Sequence, residues 1–553
     1  MSRQTKAIDI KSDPQLFIDD YIVDSNEGVH RQFHRPTRYD RNPVVQADMP
    51  WEQDGNGVYL YGGTVIYDEE ERIFKMWYRA SSEKRLGSPK QYQKLRKQTE
   101  KSGSYKALYA TSKDGLDWEK IPLGLTNYEG SKKNNILPPA EGTMEQIRRP
   151  NLIKDYLDDD PNRRYKIAYM DNIDGKWGLA KGYSADGIRW RMNIGEPTFF
   201  EKPVAPNGIL FGWDPQMQKF VHFHRLTKFV RADVDGRMVV QRIATVRSTS
   251  NDFERWGDTT EIIRRAPTDP YNWSPAHGVD LAAILYTNNL YVGFSDTCTT
   301  HSVEDVPLSD WNTVYQGNFA EYRTELLTSR DGNQWTRVAP HWEFMRPGLW
   351  GTWDRSLVGL SKPIVLENEI LFYYTGSDLL MDLLSPSHPK YDLANQIIDN
   401  KYPGYAIGLA KMRRDGFVSM DGYEPTGELT TKPVIFDGNR LVVNVRSPEK
   451  AFDSELSTSR PYGQILVELL DPEGKPIPGY SRGESDTFTG DSVRHTASWK
   501  GNQNVNNLKG HPIRIRFHLK NSALYSFQFH GDITPTHQHN LLSPGAKGRP
   551  KIQ

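Results

Sequence analysis

A short string, Ser-x-Asp-Gly-x-x-Trp, recurs along this chain as TSKDGLDW (Ser112 to Trp118), YSADGIRW (Ser184 to Trp190) and TSRDGNQW (Ser329 to Trp335), with a looser copy in TSNDFERW (Ser250 to Trp256). A fifth, more degraded copy is MRRDGFVS, around Asp415 and Gly416. The aspartates at 114, 186, 252, 331 and 415 stand 72, 66, 79 and 84 residues apart. That period is too long for helical solenoid units and suits repeated sheets of about four short strands. Asp-Gly turns a hairpin because Gly accepts positive φ and Asp bonds its own nearby backbone, while the Trp four residues after the Asp can pin the turn onto its sheet. These aspartates are therefore read as structural turn residues.

A second repeated element precedes each turn: an apolar strand, a polar turn and an aromatic-rich strand. The copies are TVIYDEEERIFKMWY (64–78), NLIKDYLDDDPNRRYKIAYM (151–170), ILFGWDPQMQKFVHFHR (209–225), AAILYTNNLYVGF (282–294) and KPIVLENEILFYYTG (362–376). Hairpin and turn motif together make one four-stranded unit. Five such units predict an all-β chain whose residues 1–425 form a five-bladed β-propeller, the opening LFIDDYIV supplying a strand that helps close the ring. Insertions at 84–103 and 379–404 interrupt the pattern, the first read as a solvated excursion on the rim and the second as a long loop over the pocket or against a neighbour. Beyond them the turn motif gives way to strict alternation. In IRIRFHL, Ile513, Ile515 and Phe517 share one face and Arg514, Arg516 and His518 the other, which predicts a β-sandwich over 426–535. Residues 536–553 read as a flexible tail.

Charge narrows the partners little. Lys plus Arg number 70 and Asp plus Glu number 70, so no global field draws the 553-residue chain to nucleic acid or to a membrane, and a neutral carbohydrate is as open a partner as any other. The oligomeric state is not written in these features. A single cysteine, Cys298, rules out an intramolecular disulfide framework and leaves cytoplasm and periplasm both open. The opening MSRQTKAIDIKSDPQLF shows no apolar signal-peptide core, and no stretch approaches the roughly 20 apolar residues of a membrane span, so a soluble chain is expected.

No glycine-rich nucleotide loop, HExxH, paired CxxC or GxSxG string is present. Acids and aromatics placed by the ring remain. The first strand of a propeller blade lies nearest the axis, so acids at the entrances of those strands converge although they are distant in sequence. Asp54, Glu145, Asp280 and Asp354 occupy such entrances, with Asn207 where the third blade would hold its acid. Carboxylates are what glycosidic cleavage requires: one gives a proton to the leaving oxygen while another activates water or attacks the sugar. Arg148 and Arg149 beside Glu145, His277 beside Asp280, and Trp51, Trp350 and Trp353 at strand entrances are the candidate substrate contacts. No cofactor and no catalytic metal are expected; a structural or axial Ca²⁺ is the one ion such acids could hold.

FIDDYIV, NPVVQADMPWE, the repeated SxDGxxW, GTWD, AIGLAKMRRDGFVS, and GDSVRHTASWKGN with RIRFHLKNSALYSFQF together carry a resemblance that covers nearly the whole chain. It resembles bacterial glycosidase-like proteins related to the N-terminal propeller of glycoside hydrolase family 32 and, more distantly, to family 43. The resemblance implies a propeller with acids at early inner strands and a glycosidase activity. The family 32 strings WMNDPNG and RDP are missing, and RRPN (Arg148 to Asn151) stands nearest the second. The alternatives from other classes are a carbohydrate-binding propeller without turnover and a polysaccharide lyase, which would need a Tyr, His or Lys base such as His277.

Overall fold

The computed structural model describes residues 6–53, 55, 57–81, 105–141, 147–173, 176–192, 197–200, 204–231, 238–257, 259–264, 266, 273–274, 281–302, 318–349, 351–377, 404–448 and 463–531. The insertion at 84–103, most of that at 379–404 and the tail 536–553 lie outside them. Two compact units divide the chain: one built on Pro36–Ile364 and Leu371–Lys411, the other on Met1–Arg35, Val365–Ile370 and Met412–Gln538.

In the first unit five antiparallel sheets follow one another in chain order. Their leading strands are Val58–Asp68, Leu152–Lys154, Val204–Asp214, Leu281–Thr287 and Ser356–Leu360. Each of the first three touches the leading strand of the next sheet. Ser356–Leu360 packs on the fourth sheet and returns to Val58–Asp68, so the circuit is closed. Such a circuit buries both faces of every sheet, which is why Ile73–Ser81 reads as a nearly continuous apolar run, with Phe74, Met76, Trp77, Tyr78 and Ala80 all buried. The cores lie between consecutive sheets. Trp77, Tyr109, Leu152, Tyr165 and Trp190 fill one, and Met170, Leu179, Trp213, Phe220, Phe253 and Trp256 the next.

The strand that closes the ring is Thr37–Arg38, paired antiparallel with Tyr405–Arg413 through Arg38↔Ala410 and Thr37↔Lys411. LFIDDYIV, expected in that role, belongs instead to the sandwich unit. Gln15–Leu16 pairs with Ser522–His530, and Phe17 and Ile22 are buried in the sandwich core. A run so apolar needs two covering sheets, whereas an outermost blade strand is half exposed and needs only backbone partners.

The four turn motifs fold alike. Asp114, Asp186, Asp252 and Asp331 each accept two backbone N–H groups on Oδ1, and the preceding serine hydroxyl donates to the same oxygen at 2.9–3.1 Å. Partial burial works against the charged form, but these donors outweigh it and hold all four carboxyls below their ordinary value. Gly187, at φ +75°, supplies the left-handed residue, and a Cβ there would stand 2.7 Å from the Trp77 ring. Each turn is also gripped by the preceding sheet. Tyr373 OH donates to Gly115 O at 2.6 Å, Trp77 Nε1 to Gly187 O at 2.7 Å, Lys181 Nζ to Glu254 O, and Arg247 Nη1 to Gly332 O at 3.2 Å. The motif recurs because four of the five joints between sheets use it. The degraded fifth copy departs: Asp415 itself takes φ +58° and accepts Ser526 Oγ within the sandwich unit.

The second unit is a β-sandwich. One sheet orders Gly490–Thr496, Arg440–Ser447, Ser522–His530, Val418–Gly422 and Val29–Phe33, with Gln15–Leu16 on Ser522–His530; the other orders Val23–Glu27, Gly427–Thr431, Arg514–Lys520 and Gln464–Leu470. Ile513, Ile515 and Phe517 are buried in its core as the alternation predicts, while Arg514 pairs with Asp24 at 2.7 Å and Arg516 with Glu468 at 3.6 Å. The boundary at 425–426 is corrected: residues 8–33 and 412–422 supply strands to the sandwich, because its sheets are completed by pairing between distant parts of the chain.

Candidate functional site

The leading strands are laced across the axis by side chains. Thr64 Oγ1 of the first sheet donates to Pro150 O and accepts Leu152 N; Asn151 of the second donates to Gly208 O and accepts Leu210 N. Thr375 Oγ1 of the fifth accepts both Leu60 N and Tyr61 N, and Lys362 Nζ donates to Leu210 O and Phe211 O at 3.1 and 3.2 Å. Burial lowers the Lys362 ammonium to about 8.

These residues surround an axial cavity lined by Tyr61, Gly62, Gly63, Asn151, Gly359 and Lys362 among others, with a volume of about 20 Å³. That is room for a water or two. A break in the ladder shapes it. Tyr59 pairs with Arg79 and Thr64 with Trp77, so the four residues 60–63 bulge opposite Tyr78 alone. Bulges of this kind re-aim side chains beside functional sites. Gly62, at φ +68°, permits the bulge.

Charged groups gather behind the bulge. Arg79 is 5 % exposed; its Nη1 donates to Tyr61 O at 3.3 Å, and its guanidinium lies 3.9 Å from the centre of the Tyr105 ring. Its Nε has no partner, and among the described residues it makes no ion pair. The space that a Cβ on Gly62 would fill is bounded by Arg79 Nη1 and by the Arg149 stem, each 3.6 Å away. Burial lowers the Arg79 pKa; Tyr105 opposes that shift and Arg149 adds to it. Arg225, also buried, donates to Tyr61 OH at 3.1 Å. Near Gly359 stands Asp296, 4 % exposed, whose Oδ1 accepts Thr324 Oγ1 at 2.9 Å. Its Oδ2 lies 3.7 Å from where a Cβ on Gly359 would stand, and the Tyr61 ring is 3.1 Å from the same point.

Of the acids nominated from the sequence, Asp54, Glu145 and Asp280 lie outside the described residues, as do His277 and Trp350. Asp354 is buried, but it does not line the cavity. Its Oδ2 accepts Arg38 Nε at 2.5 Å and Tyr374 OH at 2.9 Å, and its Oδ1 accepts Thr352 Oγ1 at 3.0 Å. With those lone pairs engaged it clasps the fifth sheet. Trp353 stacks on Tyr374 at 5.9 Å and packs over Gly376 and Gly408, a packing role in place of the expected sugar contact. Trp51 donates to Asn135 Oδ1 at 2.7 Å and meets Tyr128 edge-on, away from the axial lining. Arg148 is exposed and pairs with Asp171 at 3.2 Å; of the nominated residues that are described, Arg149 alone stands beside Gly62 of the cavity lining. Sequence reasoning missed Asp296 and Arg79 because both sit within second strands. Their signal was a lone charge inside an otherwise uncharged or apolar run, Asp296 in FSDTCTT and Arg79 in MWYRA.

Among the described residues no group of three or more His, Cys, Asp and Glu is placed to hold a metal ion, and no helix is long and apolar enough to cross a membrane. The class defined by fold and site is an all-β propeller unit with a charged axial cavity, accompanied by a β-sandwich unit. Neither a protein-family model nor a curated protein sequence matches the chain. Among solved structures it is similar to a β-1,2-mannobiose phosphorylase from Listeria innocua in complex with β-1,2-mannobiose, at 12% identity and TM-score 0.36 over 69% of this chain and 97% of that one. It is also similar to a family 43 arabinoxylan arabinofuranohydrolase from Bacillus subtilis in complex with cellotetraose, at 11% identity and TM-score 0.31 over 88% and 99%. A third is an N-acetylgalactosamine deacetylase from F. plautii in complex with blood group B trisaccharide, at 13% identity and TM-score 0.35 over 71% and 95%.

Proposed function

We propose that the propeller unit is a glycoside hydrolase acting on a poly- or oligosaccharide at the axial cavity, with Asp296 as one carboxylate of the reaction and its partner drawn from Asp54, Glu145 and Asp280. The observation that carries this reading is the buried Asp296 carboxylate beside Gly359, a residue of the cavity lining, and near the Tyr61 ring. Burial of a charge is costly, which makes a buried carboxyl beside the cavity a functional-site candidate. Protonated, it would give its proton to the leaving glycosidic oxygen; ionised, it would activate water or attack the sugar.

A polysaccharide lyase is the second reading, favoured by Lys362. An amine lowered to about 8 on the cavity wall is poised to take a proton near neutral pH. Incubation with a panel of neutral and acidic oligosaccharides, with products read by mass, separates the readings. Hydrolysis adds one water to the products, elimination leaves an unsaturated sugar, and a binding propeller leaves the glycan intact. Release of water-added products that is lost in Asp296→Asn is the expected result; intact glycans throughout would retire the enzymatic readings.

A further inference from the structure

Around the axial cavity three leading strands lose their regular ladder. The first bulges at residues 60–63, the third shifts register between Leu210 and Gly212, and the fifth between Leu357 and Leu360. Such breaks turn backbone groups away from their sheet, and one side chain answers the break in the third. Lys362, just past the fifth sheet's leading strand, sends its ammonium to Leu210 O and Phe211 O at 3.1 and 3.2 Å. The third and fifth sheets are not consecutive in the circuit, so Lys362 reaches across the axis. Its ammonium ends at the carbonyls that follow Ile209, and Ile209 and Lys362 both belong to the cavity lining.

The charge balance at this lining is one-sided. An ammonium has three hydrogens, and among the described residues Lys362 uses two of them, both on neutral carbonyls, and forms no ion pair. Burial alone lowers its pKa, and no described carboxylate opposes the shift. Asn151, also of the lining, gives one amide hydrogen to Gly208 O and among the described residues has a second without an acceptor. The lining contains no acid; Asp296 stands beside Gly359 but outside it. Ca²⁺ calls for about six to eight oxygen ligands, whereas a cation with spare donors around it suits an anion. Size narrows the choice further. A volume of about 20 Å³, room for a water or two, admits a single halide ion and not a tetrahedral phosphate or sulfate. We propose that the axial cavity is a chloride site, the ion held by the Lys362 ammonium and the Asn151 amide and fastening the third sheet to the fifth across the axis. The proposal does not rest on the carbohydrate reading, because a sugar ring is far larger than the cavity and stands outside it. It does bear on Lys362: an anion beside the ammonium favours the charged form, so chloride opposes any use of this residue as a proton acceptor.

Thermal unfolding of the full chain at about pH 7, with sodium chloride exchanged for sodium methanesulfonate at constant ionic strength, tests this. The expected result is a midpoint that climbs by about 2 °C or more and levels off as chloride saturates one site, with bromide acting alike. Lys362→Met should lose that rise. Ions acting on the general surface shift parent and variant together, so a rise of equal size in Lys362→Met would overturn the proposal, as would a parent midpoint indifferent to chloride. Bromide on the parent protein gives a test that needs no variant. Crystals of the full chain grown in sodium bromide should show its anomalous scattering among Gly62, Gly359 and Lys362; bromide at the protein surface alone, an adventitious ion only, would overturn the site. Chloride should also flatten the pH dependence of the parent against Lys362→Met between pH 8 and 10.5, since a bound anion returns the ammonium toward its ordinary pKa. A pH dependence identical with and without chloride would overturn the proposal too, and would leave the hydrolase reading as it stands.

Discussion

Arg38 Nε donates to Asp354 Oδ2 at 2.5 Å, joining the outermost strand of the fifth sheet to the loop that leads into its innermost one. Asp354 is nearly fully buried and Arg38 about one-third exposed, so loss of either partner strands a charge at the closure of the ring. Asp354→Asn and Arg38→Ala should each cost about 3 kcal/mol, seen as a lower denaturant midpoint. Turnover by either variant, measured where it is folded, should stay near the parent value. An Asp354→Asn protein with normal stability and no turnover would return Asp354 to the reacting acids.

The turn motif predicts a graded pair of variants. Asp186→Ala removes an acceptor of two backbone N–H groups and should cost about 1 kcal/mol, the scale of a lost cap. Gly187→Ala should cost more, because its Cβ meets the left-handed backbone penalty and also the Trp77 ring 2.7 Å away. Equilibrium unfolding of the two would rank them; the reverse order would count against the gripping of each turn by the preceding sheet.

Asp68 accepts Lys154 Nζ on both oxygens at 2.7 and 2.8 Å, and Lys75 Nζ on Oδ2 at 2.7 Å. Burial raises its pKa, but the bonds to Lys154 and Lys75 outweigh that and lower it to about 2 from an ordinary 3.8. A folded pKa below the unfolded one means that the stabilisation is present above about pH 4 and is lost as pH falls toward 2, on the order of 2 kcal/mol. Asp68→Asn should cost about 3–5 kcal/mol at neutral pH by leaving two buried ammonium groups under-compensated. The difference in unfolding free energy from the parent should narrow by about 2 kcal/mol toward pH 2, which acid titration of both proteins would reveal.

Lys362 titrates the other way. Its folded pKa, about 8, lies below the ordinary 10.5, so the unfolded chain holds more protons between those values and stability contributed by this residue rises with pH across that window. Against Lys362→Met, the parent should gain stability from pH 8 to 10.5; a constant difference would mean that the ammonium is not desolvated at the cavity wall.

For Asp296→Asn the expected outcome is a turnover loss of about 10²–10⁴-fold with the fold retained. Unchanged turnover on a substrate found with the panel would remove Asp296 from the reaction.

The all-β class, the five repeats and the sandwich alternation were legible because each rests on a local period: Asp-Gly turn chemistry at 114, 186 and 331, paired apolar strands, and period two in IRIRFHL. The axial site was legible only in part. Asp354 stands where an inner-strand acid was expected, yet the return of Arg38 from far away in sequence gives it a structural partner, and no local pattern announces a pairing 316 residues long. Arg79 and Asp296 lie on second strands of different sheets, buried on every side, so alternation says nothing of where they face. The bulge within the first sheet sets Arg79 beside Gly62, and packing of the fifth sheet's leading strand on the fourth sheet sets Asp296 beside Gly359. Likewise LFIDDYIV carries the apolar pattern of a strand, but which unit receives it depends on where two covering sheets exist. Local backbone chemistry is contained in neighbouring residues and can be read from them; charge compensation and burial are properties of what distant segments bring together, and those the tertiary structure decided.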